Sequence, residues 1–307
     1  MLKIRKIRRL IKGTIAEWQK QDVSLLASAL AYSTVFSIAP LMILVIMILE
    51  AIFDEAMATE QIVTQLTNLM GTEAAKLVAT AITNLQMQTG QGTVQLIFNL
   101  GFFAFGATSV FSQIQNSLNR IWDVQPVPKR RILQFLRKRL LSFAMILVIV
   151  FLLLASSIAT TTLAAIVATL NQWVPGLGNL WQILQWLVSF GIVFAVFAAI
   201  YTILPDIEIH WRDTLIGAMI TAILFLFGQA LFGIFLNQVN IGSAYGVAGS
   251  FLIVISWIFY AAQILFSGAA FTKVYARQRG TPITPSEFAV STSDPDQGYI
   301  QSPFKMQ

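Results

Sequence analysis

The sequence predicts an all-α membrane protein with about six transmembrane helices and both ends in the cytoplasm. Three observations carry this: charge is scarce, it is confined to a few segments, and its cations are one-sided. Of 307 residues, 56% are hydrophobic and 11% charged, where a soluble domain carries roughly 25% charged residues. Asp, Glu, Lys and Arg are missing from Val23 to Leu49, Leu77 to Asn119, Leu140 to Pro205 and Thr214 to Thr272, runs of 27, 43, 66 and 59 residues. A spanning helix takes about 20 such residues, so the runs have room for one, one, two and two spans.

Residues 1–22 form the first element. Ile4, Ile7, Ile11 and Ile15 recur among Lys3, Arg5, Lys6, Arg8, Arg9 and Lys12, the pattern of a basic amphipathic helix. No clean apolar run and no small-residue cleavage site follow, so the segment reads as retained. Its expected partners are the bilayer and the anionic headgroups of the cytoplasmic leaflet, with contacts from Arg5, Lys6, Arg8, Arg9, Arg130 and Arg131. Each basic residue near such a surface contributes about 1 kcal/mol. Orientation already accounts for these charges, so nucleic acid is not expected.

The membrane domain spans residues 23–280. Its spans are placed at about Ser24–Phe53, Thr93–Leu118, Arg139–Leu170, Leu180–Leu204, Asp213–Leu236 and Tyr245–Val274. Asn171–Asn179, with Pro175, Gly176 and Gly178, and Asn237–Ser243, with Gly242, supply turn chemistry between spans three and four and between five and six. Short connectors make these neighbours antiparallel. Lys and Arg stay on the cytoplasmic side, and 19 of the 20 fall on one face, Lys76 being the exception. Both termini are therefore placed inside.

Residues 54–92 lie outside in this scheme. Ile62, Leu66 and Leu69, then Leu77, Ala81 and Leu85, follow helical spacing and predict amphipathic helices, either at the interface or over the bundle. From Thr281 to Gln307 the chain is rich in Pro, Ser, Thr and Asp without apolar periodicity, and a disordered cytoplasmic tail is expected.

Polar residues within spans face other helices or water. Ser256, Tyr260, Gln263 and Ser267 form one stripe, Ser109, Ser112, Gln113 and Asn116 a second leading to Asn119 and Arg120, and Ser24, Ser28, Tyr32 and Ser33 a third. Each stripe either lines a polar path or bonds helix to helix. Pro40 removes a backbone hydrogen bond in mid-span and is expected to kink the first helix. Gly242, Gly246 and Gly249 offer a small-residue face. The candidate cavity lining is Tyr32, Ser33, Ser37, Pro40, Asn116, Asn119, Tyr260 and Gln263.

Ionisable groups are missing from mid-span, which argues against a pump built on buried carboxylates; Glu50 and Asp54 read as interfacial. Cysteine is absent, which removes thiolate chemistry and Cys-ligated metal. Asp206, Glu208, His210 and Asp213 are the one cluster with metal-ligand chemistry, but a short polar loop supplies the same residues. Nucleophile-elbow, phosphate-loop, zinc-protease and dinucleotide motifs are not found. No catalytic residue, metal or cofactor is assigned, and an enzyme is not expected.

Several stretches together resemble the YihY/BrkB family of bacterial inner-membrane proteins. They are Ala27–Pro40 (ASALAYSTVFSIAP), Asn119-Arg120-Ile121-Trp122, Tyr201–Pro205 (YTILP), Trp211-Arg212-Asp213 with Gly217-Ala218, and Tyr245-Gly246 with Gly268-Ala269. The resemblance implies a six-helix, multi-pass inner-membrane fold in a family linked to virulence, serum resistance and envelope transport, and carrying an older ribonuclease BN label that these residues do not support. Ala270 stands where the family is expected to place Glu. The leading expectation is a transporter or channel-like protein for a polar or amphipathic, lipid-derived molecules included, substrate. The alternative is a membrane scaffold or envelope-assembly factor, and a ribonuclease comes last. Oligomeric state stays open, a homo-oligomer included.

Overall fold

The computed structural model describes residues 2–50, 60, 62–67, 72–87, 93–127, 139–152, 155, 159, 162, 166, 178–238, 247–287 and 289–292. Almost all of these are helical. The helices are α1 (Leu2–Lys20), α2 (Val23–Glu50), α3 (Thr72–Met87), α4 (Thr93–Ile121), α5 (Arg139–Leu152), α6 (Gly178–Ile203), α7 (Trp211–Gln238) and α8 (Val247–Arg279). Three stretches among the described residues are long and apolar enough to cross a membrane: Ile183–Ile203, Trp211–Phe235 and Gly249–Arg279. Shorter apolar helices cover Val23–Ile38 and Arg139–Leu152.

The core is built where helices approach closely. α2 packs along α4, α6 along α7, and α8 against α1, α2 and α7. At the α7–α8 seam, small residues and threonines interlock. A β-carbon on Gly217 would overlap Thr272 Oγ1, and one on Gly268 would overlap Thr221 Oγ1 and Tyr201 Oη. Each helix thus offers a glycine to the other's threonine four residues away, which brings the backbones together without a side-chain void. Thr221 and Thr272 donate to the carbonyls of Gly217 and Gly268 on their own helices, so their hydroxyls enter the seam already bonded.

α2 runs through Pro40 as one helix. Pro40 is buried against α4, where a β-carbon on Gly106 would come within 2.9 Å of its Cβ. The ring that costs α2 a hydrogen bond thus serves as a close contact. α3 packs over α2 and α8, with Ala75 and Val78 buried. Ile62 and Leu66 are buried in the helical residues 62–67, so the described part of this segment lies on the bundle.

Short antiparallel strands close one end. β1 (Val124–Pro126) pairs with β4 (Ala289–Ser291), and β2 (Ile207–Glu208) with β3 (Thr284–Pro285). The chain after Thr281, expected as a disordered tail, is strand-paired at 284–285 and 289–291 among its described residues. It follows α8 through Gly280, whose φ of +79° is the left-handed helix terminus that glycine adopts without strain. From there it takes backbone partners from the loops behind α4 and α6. Asn171 to Leu177, Gly242 and Gly246 lie outside the described residues.

Candidate functional site at the charged end

Polar chemistry concentrates where α1, the end of α4, the α6–α7 loop and the end of α8 meet. α4 ends at Ile121, and Asp123 turns the chain with a φ of +56°, a conformation that Asp tolerates better than most residues. This aims its carboxylate at the last turns of α8. There, Lys273 is completely buried. Its ammonium donates to Glu17 Oε1 of α1, to the Ile121 carbonyl at 2.6 Å and to Asp123 Oδ2 at 2.7 Å. An ammonium has three N–H donors, and all three are used.

A second layer holds the acceptors. Gln21 Nε2 donates to Glu17 Oε1 at 3.1 Å and to Asp123 Oδ1 at 2.9 Å. Arg277, one turn beyond Lys273 on α8, reaches Asp123 at 3.2 Å and Glu17 at 3.7 Å. Burial pushes the Glu17 and Asp123 carboxyls up, but hydrogen bonds from Lys273 and Gln21 and the charges of Lys273 and Lys20 outweigh it. Both are held below their ordinary values of 4.5 and 3.8. Removing water from such charges costs several kcal/mol per ion, so the full set of partners is a condition of its burial.

Beside this knot lies another. The buried Asp206 carboxylate accepts from Asn119 Nδ2 at 2.8 Å and from Gln115 Nε2 at 3.2 and 3.3 Å, while its N–H donates to Asn119 Oδ1 at 2.9 Å. Its carbonyl takes the N–H of Ser286, tying in the segment after α8. Asp213, in the first turn of α7, pairs with Arg279 at 2.9 Å. Two recesses of about 360 Å³ each open beside the β1–β4 ribbon. One is walled by Trp122, Asp123, Lys273 and Arg277, the other by Gln21, Asn116, Asn119, Arg120 and Asp123.

The residues expected to line a cavity are spread out by this arrangement. Asn116 and Asn119 do meet at the second recess. Ser37 bonds Ser109 between α2 and α4, and Gln263 Nε2 donates to Ser24 Oγ at 3.0 Å between α8 and α2. Ser33 donates to the Leu30 carbonyl of its own helix. Tyr260 stacks on Phe232 and sits over Gly228 of α7. Tyr32 is 71% exposed, edge-on to Phe36; it faces out of the bundle, since a four-residue spacing defines a stripe but not the side on which it packs. Arg5, Lys6, Arg8 and Arg9 are exposed on α1, whereas Arg130 and Arg131 lie outside the described residues. In the His210 cluster, Asp206 and Asp213 are buried in other bonds while His210 is exposed. Among the described residues no such group could hold a metal ion.

Glu17, Gln21, Asp123, Lys273 and Gln115 were not singled out from sequence, and Asp206 was noted only as part of the His210 cluster. One signal points to the first of these: in residues 1–22 and 120–139, Glu17, Asp22 and Asp123 are the acids among charges that are otherwise Lys and Arg. A carboxylate retained there needs a partner.

A family model described as virulence factor BrkB matches residues 14–290, from within α1 into β4, so it takes in every residue of the ion network. The chain belongs to the BrkB family. Similar curated proteins are UPF0761 membrane proteins. One from Vibrio cholerae is 28% identical over 263 residues, 84% of each chain. One from Psychromonas ingrahamii is 27% identical over 83% of each, and one from Actinobacillus pleuropneumoniae is 26% identical over 85% of this chain and 91% of the relative. No solved structure matches. The BrkB match ends one residue short of the end of β4, so all but the last residue of the strand-paired segment after α8 is within the family's extent.

Proposed function

We propose that this BrkB-family protein spans the bacterial inner membrane six times, with both termini cytoplasmic, and passes a polar or amphipathic molecule through the bundle. The Lys273 network closes the inner end. The observation that carries this reading is a fully buried ammonium joined to two carboxylates from separate segments, α1 and the turn after α4, beside two recesses. A buried ion pair adds little stability over apolar packing of the same volume. What it adds is a joint that has two favourable states, paired when dry and separately hydrated when wet, the property a gate requires. Catalysis is not part of this reading, in which the Asp206 and Asp213 carboxylates are engaged in structural bonds.

The Ser37–Ser109 and Ser24–Gln263 pairs favour a second reading, a scaffold whose polar stripes only join helices. Because the chain has no cysteine, single thiols separate the two. Ser37→Cys, Asn116→Cys and Gln263→Cys would be probed in inverted and right-side-out vesicles with a membrane-impermeant thiol reagent. A path predicts labelling at all three, faster at Ser37 and Gln263 when Glu17→Gln loosens the inner end. Unreactive thiols at Ser37 and Gln263 in both backgrounds would leave the scaffold. Tags at each terminus and after Gln172 should report opposite compartments; one shared compartment would overturn the topology.

A further inference from the structure

We infer that α1 is an interfacial helix that docks on an anionic lipid surface, with Ile7, Ile11 and Ile15 in the acyl boundary and Arg5, Arg8, Arg9 and Lys12 on the headgroups. The argument starts from rotation. At 3.6 residues per turn, α1 divides into three arcs. Leu10, Gly13, Thr14 and Glu17 form the inner one. It is pinned to α8, where a β-carbon on Gly13 would lie 2.9 Å from Val274 Cγ1 and where Glu17 meets Lys273. The helix therefore cannot roll to hide its other faces.

The next arc carries Ile7, Ile11 and Ile15, exposed by 56, 56 and 52%. The third carries Arg5, Arg8, Arg9 and Lys12, all exposed. Apolar stripe beside cationic arc is the division that a helix in the plane of a membrane surface needs. Chain connectivity brings it there, because α2 begins at Val23 after a two-residue turn at Gln21 and Asp22. α1 thus ends where the first apolar stretch starts, so its last turn lies within a turn's length of the bilayer. The positive arc names the lipid: anionic headgroups attract it and neutral ones do not.

The inference rests on the bundle lying in a bilayer but not on which face is cytoplasmic, since nanodiscs leave both faces open. An environment-sensitive fluorophore on Ile11→Cys would be read in full-length protein, one copy per disc, in phosphatidylcholine alone or with phosphatidylglycerol. With the anionic lipid the emission should shift to the blue and iodide quenching should fall several-fold. Raised salt, which screens such attraction, should reverse both, as should the quadruple change of Arg5, Arg8, Arg9 and Lys12 to Gln. A fluorophore on Lys12→Cys should stay quenchable throughout. Equal quenching at Ile11 in the two lipids would overturn the inference. So would a blue shift seen only with two copies per disc, which would assign the stripe to a second chain.

Discussion

The α7–α8 seam and the charged end hold the same helix, α8, by opposite means. At the seam, Gly217, Thr221, Gly268 and Thr272 pass the backbones at contact distance with neutral groups that are already bonded. At the end, Lys273 stands one residue beyond Thr272 and is held by full charges. At the seam a β-carbon added to Gly217 or Gly268 overlaps a neighbour, whereas each group of the charged end is also stable in water once separated. On the reading proposed above, the seam would be the pivot and the charged end the latch of one helix.

The largest effect is expected at the pivot. Gly268→Leu puts a side chain where Thr221 and Tyr201 Oη already stand, and overpacking of such a site costs typically 1–3 kcal/mol or more. Yield of monodisperse protein after detergent extraction should collapse, whereas Gly233→Leu, with open space around it, should leave it unchanged. Next comes the latch. Lys273→Met takes the central cation from buried Glu17 and half-buried Asp123 and leaves them Gln21 and Arg277. The cost should therefore lie at or below the roughly 3–5 kcal/mol of losing one partner of a buried pair. Thermal unfolding in detergent should fall accordingly. Adding Glu17→Gln and Asp123→Asn to it should recover most of the loss, and no recovery would mean that Lys273 acts through packing alone.

The two regions also differ in how far sequence reveals them. Helices come through well: the stretches placed as spans at Thr93–Leu118 and Asp213–Leu236 are helical over Thr93–Ile121 and Trp211–Gln238, the second long and apolar enough to cross a membrane, because hydrocarbon excludes charge and so writes the boundaries into composition. Gly268 stood out only through family resemblance, and its threonine partner on α7 could not be read at all. The network was hidden for a different reason. Counting cations assigns Lys273 to a side of the membrane but says nothing of depth, and its partners lie 256 and 150 residues away. Strand pairing after Gly280 was equally hidden, since two- and three-residue strands are too short to show alternation and their order comes from Ile207 and Val124 across the fold.

Acid provides the gentlest way to open the latch while leaving the pivot alone. Glu17 and Asp123 have depressed values in the folded protein. Their contribution to stability is therefore complete above their ordinary values of 4.5 and 3.8 and is lost as pH falls through the lower folded ones. Stability in detergent should hold from neutral pH down to about 5 and decline below about 4. The drop should be smaller than that of Lys273→Met while protonation is partial; the buried Lys273 ammonium then loses counter-charge but keeps the Ile121 carbonyl. Glu17→Gln with Asp123→Asn should flatten the decline, while Gly233→Leu should follow the parent curve. A decline that survives neutralisation of both carboxylates would move the acid-sensitive joint to another pair, with Asp213 and Arg279 the next to test.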